Sequence, residues 1–212
     1  MIEIKSIPVG ILQTNCYIIT DKTSGEIAII DPGASSEKLD SIIDSNRNKI
    51  KYILLTHGHY DHIGYVNQLK SKTNAKLVIG KEEEVFLTDN SLNLSNSFSF
   101  MKMSIQGIKA DITLSDEDTF MLGETVIKFL HTPGHTVGGG CYLIDDNIFT
   151  GDTLMKLSMG RTDLPTSNDK AMIYSLKKLS QLEGDFNIFP GHGEISSLSY
   201  EKKYNPYIRS VI

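Results

Sequence analysis

The segment THGHYDH, at residues 56–62, places four potential metal ligands directly after an apolar, strand-like run. Three of the chain's six histidines, His57, His59 and His62, lie in this segment together with Asp61. Packing alone hardly explains such a cluster, because neighbouring ionisable groups are costly to bury unless something neutralises or coordinates them. The segment therefore predicts a metal site.

Three further potential ligands stand in similar local settings. His135, Asp152 and His192 each follow a strand-like run and each has a glycine beside it or close to it. By itself, each of these residues is typical of a turn. Loops at strand ends are held by a rigid sheet, so their side chains can converge on one point. Together with the cluster at 56–62, they predict a single composite site.

The spacing inside the cluster indicates two ion positions. At the end of an extended strand, His57 and His59 point the same way, which suits one ion. Asp61 and His62 follow where the chain turns towards a helix, so we expect their side chains to reach a neighbouring position. Mixed imidazole and carboxylate ligands suit zinc, iron or manganese better than calcium or magnesium. We expect two divalent ions and favour zinc.

Short β-rich runs and helical stretches alternate along the chain. Strands are predicted at 3–9, 16–20, 26–30, 52–55, 76–79, 119–122, 125–130, 140–144, 147–150 and 187–190, and helices from about 36, at 63–70, 81–88 and 170–182, and from about 199. Strands grouped with helices outside them predict two sheets packed face to face. Residues 90–109 have no clear period and are predicted to form a long loop, interpreted as a mobile flap.

Composition limits the classes of function. The 212 residues, 40% of them hydrophobic, are enough for one domain spanning 1–212. Acidic residues outnumber basic ones by 26 to 21 without a basic stripe, which argues against nucleic acid as a partner. No apolar run approaches the roughly 18 residues that span a bilayer, and the start reads as a strand. We therefore expect a cytoplasmic protein with no membrane partner, in which Cys16 and Cys141 are reduced core thiols.

The motifs resemble those of the metallo-β-lactamase superfamily. The family's T-H-x-H-x-D-H motif corresponds to residues 56–62, and HTPGHT at 131–136, GDT at 151–153 and GHG at 191–193 follow in the family's order. The resemblance covers nearly the whole chain. It implies an α/β protein with the four-layer αβ/βα sandwich fold. It also implies a ligand set in which His57, His59 and His135 hold one ion, Asp61, His62 and His192 hold a second, and Asp152 bridges both.

The same positions narrow the subfamily. True β-lactamases of the family lack a bridging Asp, so Asp152 argues against antibiotic hydrolysis. The flavodiiron branch has Glu where this chain has His59, and the RNA-processing branches add an arm or a domain for which 212 residues leave little room. What remains is similar to the short, single-domain members of the glyoxalase II (hydroxyacylglutathione hydrolase) group.

By this resemblance, the expected activity is hydrolysis of a small-molecule thioester or related ester. A hydroxide bridging the two ions would be the nucleophile, because two ions sharing a water lower its pKa towards about 7. Asp61 and Asp152 are the predicted catalytic carboxylates. Arg161 is interpreted as an anchor for a substrate carboxylate or, equally, as an ion-pair partner of Asp163. Tyr60 either lines the substrate pocket or packs beneath it.

Several alternatives stay open at this point. A persulfide dioxygenase of the same superfamily would hold one iron through His57, His135 and Asp152, the two-histidine, one-carboxylate set. A non-catalytic structural metal domain is a third interpretation, although structural zinc sites are usually closed and rich in cysteine. His131 is either an outer residue that supports a ligand or a structural part of the HTPG turn.

Overall fold

Two mixed six-stranded sheets form the centre of the protein in a computed structural model that describes residues 1–96 and 107–212. The first sheet contains, in spatial order, β1 (Ile2–Val9), β2 (Thr14–Asp21), β3 (Ile27–Ile30), β4 (Ile50–Leu54), β5 (Lys76–Gly80) and β6 (Ile112–Leu114). Strands β1 to β3 pair antiparallel, whereas β3 to β6 pair parallel. The carboxyl ends of β3 to β6 therefore lie at one edge of this sheet.

The second sheet has a matching edge. It contains β7 (Thr119–Leu122), β8 (Thr125–His131), β9 (Gly140–Ile144), β10 (Asn147–Gly151), β13 (Asn187–Pro190) and β14 (Ser196–Ser197). Strands β8 to β10 alternate in direction and β13 runs parallel to β10, so β8, β10 and β13 all point the same way. A small separate hairpin pairs β11 (Leu154–Met155) with β12 (Ser158–Met159).

Helices cover the outer face of each sheet. The first sheet is covered by α1 (Glu37–Asn46), α2 (Tyr60–Ile63) and α3 (Val66–Lys72), and the second by α4 (Asp169–Ser180), α5 (Leu198–Tyr204) and α6 (Pro206–Arg209). A 3₁₀ helix spans Lys81–Leu87. Among the described residues, no helix has the length and apolar character needed to cross a membrane.

Alternation along the strands divides the core into layers. In β2, Tyr17 and Ile19 belong to the cluster between the sheets, whereas Cys16 and Ile18 belong to the cluster beneath the helices of the first sheet. This follows from the two-residue period of a strand, which sends successive side chains to opposite faces. A third cluster packs α4, α5 and α6 on the second sheet. The four layers confirm the predicted αβ/βα sandwich, and the mixed sheets flanked by helices place it in the α+β class.

Differences from the expected elements occur where distant contacts intervene. The helix predicted at 63–70 is interrupted, because the Tyr65 N–H donates to the carbonyl of Pro32 at 2.9 Å. The helix predicted at 81–88 is the 3₁₀ helix, in which the buried Glu83 accepts hydrogen bonds from a distant loop. The hairpin of β11 and β12 was not predicted. Of the loop predicted at 90–109, residues 97–106 lie outside the described residues.

Candidate metal centre

The predicted ligands meet at one edge of the sandwich, where strands of both sheets have their carboxyl ends. His57 and His59 follow β4, His135 follows β8, Asp152 follows β10, and His192 follows β13. These loops follow strands of different sheets, but their ligand atoms come within 4.8 Å of one another in groups that combine both sheets. The structure therefore assembles one centre from segments far apart in the sequence.

The first group consists of His57, His59 and His135, whose ligand atoms lie within 4.8 Å of one another. All three residues are buried. The backbone is extended at His59, with φ −67° and ψ 147°, as expected for His57 and His59 pointing the same way, although their rings lie edge to face at 88°. Nδ1 of His59 lies 3.0 Å from Nε2 of His135, so these two ring nitrogens face each other within the first group.

The second group consists of Asp61, His62 and His192. Asp61 and His62 lie on α2, and the His62 ring stays close to the first group, with its centroid 4.0 Å from that of His57. His57, His62 and Asp152 form a further group of ligand atoms within 4.8 Å, which joins the two groups. Nε2 of His192 lies 3.2 Å from Oδ2 of Asp61, and Nε2 of His62 lies 3.5 Å from the same oxygen. The hydroxyl of Thr14 donates to this carboxylate at 3.0 Å.

Asp152 lies between the two groups. Its Oδ1 is 3.7 Å from Nε2 of His62, and its Oδ2 is 3.6 Å from Nε2 of His135. The preceding residue, Gly151, has φ +49°, and a Cβ there would lie 2.3 Å from the Thr56 hydroxyl oxygen. Only glycine fits this turn, which brings the carboxylate back over the end of β10.

Outer contacts orient the histidines. In four of them Nδ1 faces an oxygen outside the centre, which leaves Nε2 directed inwards. The pairs are His57 with the Thr56 hydroxyl at 3.2 Å, His62 with Asp31 at 3.0 Å, His135 with the Arg161 carbonyl at 2.8 Å, and His192 with the Leu12 carbonyl at 3.2 Å. This is the arrangement by which proteins hold metal-binding imidazoles in one tautomer and orientation.

The chemistry of the donor set fits divalent metal ions. Nε2 of His57, Nε2 of His62 and Oδ1 of Asp152 are buried in the centre and have no hydrogen-bond partner within the described part of the chain. A buried polar atom left unsatisfied costs about 1 to 3 kcal/mol, so three in one place call for a common partner. Two three-residue groups of nitrogen and oxygen donors, with a carboxylate between them, fit two ions.

Charge differs between the two groups. Burial and the neighbouring histidines lower the pKa of His57 well below its usual value, and burial lowers that of His59 to about 3, so both imidazoles are neutral. Burial also opposes the charged form of His62, but Asp61, Asp31 and Asp152 raise its pKa to about 10. Three carboxylates therefore surround His62, and a bound cation would take the place of the proton that they favour on its Nε2.

Two supporting residues were missed from the sequence. Asp31 is buried at the end of β3 with φ +50° and contacts both Thr56 and His62. An Asp-Pro-Gly turn directly after a buried strand was the available signal. Glu83 accepts the N–H groups of Gly58 at 2.8 Å and Gly138 at 3.0 Å. Burial raises the pKa of Glu83 to about 7, although both hydrogen bonds lower it. No signal in the sequence pointed to this residue, because it lies in an acidic run that is typical of a solvated surface.

The remaining predicted residues lie around the centre. Arg161 is exposed and forms a two-pronged ion pair with Asp163, at 2.6 and 2.7 Å, while its carbonyl faces His135. Tyr60 is buried and borders an apolar cavity. Nε2 of His131 lies 3.1 Å from the carbonyl of Val137, which closes the HTPG loop. The anchor role of Arg161 stays a prediction.

A family model described as the metallo-beta-lactamase superfamily matches residues 9–192. The chain belongs to the metallo-beta-lactamase superfamily. The match runs from the end of β1 to the last histidine of the centre, so it includes all seven predicted ligands. The superfamily is one of metallo-hydrolases, which bind divalent metal ions.

Individual relatives support this placement. Hydroxyacylglutathione hydrolase GloC of Haemophilus influenzae is 34% identical over 212 residues, covering 98% of this chain and 99% of GloC. The BLEG-1 B3 metallo-beta-lactamase is 30% identical with a TM-score of 0.89, covering 97% of this chain and 99% of its own. TTHA1623, solved in a di-iron-bound form, is 28% identical with a TM-score of 0.82, covering 96% and 99%. The chain thus matches superfamily members over nearly their whole length, and a hydroxyacylglutathione hydrolase is among them.

Proposed function

We propose that the protein hydrolyses a thioester of the hydroxyacylglutathione kind, or a related ester, with two divalent ions held by the seven-residue centre. The observation that carries this proposal is the position of Asp152, whose two oxygens face the first and second groups at 3.6 and 3.7 Å. A one-ion site would not require the second group of Asp61, His62 and His192. The similarity to GloC supports a thioester as the substrate class.

Two ions bound there would polarise the substrate carbonyl and lower the pKa of a shared water, which supplies the nucleophile at neutral pH. The residues of the chain hold this arrangement in place. Asp152 spans the two groups, and Asp61 stays ionised because His62 and His192 lower its pKa against the effect of burial. The role proposed for Asp61 and Asp152 is to lie beside the place where the substrate carbonyl would be attacked and to hold the ions there. The departing thiolate needs little help from an acid.

β-Lactam hydrolysis is a second candidate, since BLEG-1 is named a B3 metallo-beta-lactamase. Against it stands Asp152, the carboxylate by which the chain resembles glyoxalase II. A persulfide dioxygenase with a single iron is a third candidate. TTHA1623 was solved with two bound irons, so this relative does not favour a one-iron site. Each candidate predicts a different metal content or substrate.

Elemental analysis of the purified protein, combined with assays on three substrates, tests the proposal. We expect close to two zinc, iron or manganese ions per chain. We also expect hydrolysis of S-lactoylglutathione, which is measured as the loss of thioester absorbance. Chelation is expected to abolish turnover, and added metal to restore it. One iron per chain, with oxygen uptake on a persulfide and no hydrolysis, would overturn the proposal. So would turnover restricted to a chromogenic cephalosporin.

A further inference from the structure

An apolar cavity of about 320 Å³ opens beside the second ligand group. The turn between β1 and β2 forms one wall, the turn after β3 forms another, and α2 forms the floor. The lining residues are Val9, Gly10, Ile11, Leu12, Gly33, Ala34, Tyr60 and Asp61. Asp61 lines the cavity and also belongs to the second ligand group, so the cavity adjoins the centre.

The wall of the cavity has one chemical character. None of its eight lining residues is basic, and the one ionisable carboxylate, Asp61, lies at the end nearest the centre. Ile11 is 75% exposed and Leu12 is 45% exposed at the mouth, although both are large apolar side chains. A charged group of either sign would lose solvation here without gaining a partner, apart from a cation directly at Asp61.

The same turn is attached to the ligand loop around His192. The Leu12 carbonyl faces Nδ1 of His192 at 3.2 Å, and the Asn15 N–H donates to the Gly191 carbonyl at 2.7 Å. The side chain of Asn15 donates to the carbonyls of Pro190 and Gly193 at 3.1 and 3.0 Å. The apolar wall is therefore held at a defined position relative to the centre, as a substrate subsite requires.

We propose that this cavity binds an uncharged, apolar arm of the substrate thioester. The inference rests on the proposed function and narrows its substrate class towards thioesters with an aliphatic acyl or thiol part. Its volume of about 320 Å³ falls at the lower end of the roughly 300–1,000 Å³ that small-molecule pockets occupy, so the cavity can hold a short aliphatic chain. A carboxylate-bearing arm, such as that of glutathione, would have to lie elsewhere, on the side of Arg161.

Two substrate series test the proposal and distinguish the two arms. In one, N-acetylcysteamine carries acetyl, butanoyl, hexanoyl or octanoyl groups; in the other, acetyl thioesters are made with alkanethiols of increasing length. Burial of a methylene predicts a rise in kcat/KM of about twofold to fourfold per methylene in the series whose arm enters the cavity. A rise in the acyl series assigns the cavity to the acyl arm, and a rise in the thiol series assigns it to the thiol arm.

Variants of the cavity wall provide a second test. Ile11→Asp puts a carboxylate at the mouth, and we expect it to lower kcat/KM about tenfold more for the longest substrate than for the shortest. Ala34→Leu narrows the cavity and should move the preferred chain length to a shorter one. Ile173→Asp is the matched control, since Ile173 is 41% exposed on α4, outside the cavity lining, and this variant should keep the wild-type chain-length profile.

A binding measurement separates this inference from catalysis. Calorimetric titration with non-hydrolysable alkyl thioethers of N-acetylcysteamine should show affinity rising with chain length, and Ile11→Asp should flatten that rise. The inference would be overturned if hydrolysis and binding did not depend on chain length in either series. It would also be overturned if Ile11→Asp and Ile173→Asp gave the same chain-length profile. Neither result would affect the proposed function. No hydrolysis of any thioester would instead overturn the proposed function, while thioether binding would still report on the cavity.

Discussion

Asp31 and His62 are 31 positions apart, and Oδ2 of Asp31 lies 3.0 Å from Nδ1 of His62 in the buried interior of the centre. An ionised carboxylate can only accept, so Nδ1 of His62 carries the hydrogen and Nε2 remains available to an ion. The same carboxylate accepts from the backbone N–H and the hydroxyl of Thr56, at 2.8 and 2.6 Å. Asp31 therefore contacts both Thr56, at the start of the motif, and His62, at its end, and it fixes the tautomer of His62.

Asp31→Asn is expected to weaken the second ion more than the first. The amide can still accept from the Thr56 N–H, but its NH₂ group would then face His62 and favour the opposite tautomer. Loss of such an outer contact typically costs tenfold to a hundredfold in metal affinity. Competition titration with a chelating dye should show one site weakened by about this factor. Two sites of wild-type affinity would remove the positioning role of Asp31.

Asp152→Ala is expected to lower metal occupancy and to abolish nearly all thioester hydrolysis. The variant removes the carboxylate that faces both ligand groups, while Gly151 and the strand before it are unchanged. We expect at least a hundredfold loss in kcat, with the circular dichroism spectrum of the wild type. Wild-type turnover in a variant with normal metal content would show that Asp152 does not bridge the ions.

Glu83→Gln is expected to weaken the first ligand group. The buried carboxylate accepts from both Gly58 and Gly138, whereas a glutamine oxygen can accept from one and its NH₂ group would face the other donor. We expect about a tenfold loss of affinity at one ion site. Glu82→Gln is the matched control, because this neighbour is exposed. Equal metal affinity in the two variants would contradict the role of Glu83.

Arg161 and Asp163 should have opposite effects on a substrate that carries a carboxylate. Their exposed ion pair is worth little in water, so an incoming carboxylate can compete for the guanidinium. Arg161→Ala should raise KM for S-lactoylglutathione about fivefold, and Asp163→Ala should lower it. The Arg161 carbonyl that faces His135 remains in both variants, so metal content should not change. KM values indifferent to both substitutions would exclude an anchor at this position.

Both cysteines should be inert in the folded protein. Cys16 and Cys141 are free and buried, and burial raises the pKa of both thiols, that of Cys141 to about 11. Little thiolate is therefore present at neutral pH. We expect no alkylation by iodoacetamide at pH 7 under native conditions and two modified residues after denaturation, as counted by mass spectrometry. Rapid native labelling would show that one thiol is accessible.

Local patterns carry much of the fold. Alternating and continuous apolar runs predicted the strands of both sheets, because burial on one or both faces leaves a direct trace in the sequence. Features set by distant partners left no such trace. The break between α2 and α3 depends on a hydrogen bond from Tyr65 to Pro32, and the 3₁₀ helix packs against loops that the local sequence does not contain.

The sequence by itself determined the family and the set of candidate ligands, because their identity and spacing are written in short motifs that begin with residues 56–62. Only the tertiary structure decided what supports them. Asp31 reaches His62 across 31 positions, and Glu83 reaches Gly58 across 25 and Gly138 across 55. The apolar cavity likewise joins three separate segments. Orientation and pocket shape are properties of contacts between distant residues, and such contacts exist only once both sheets have packed.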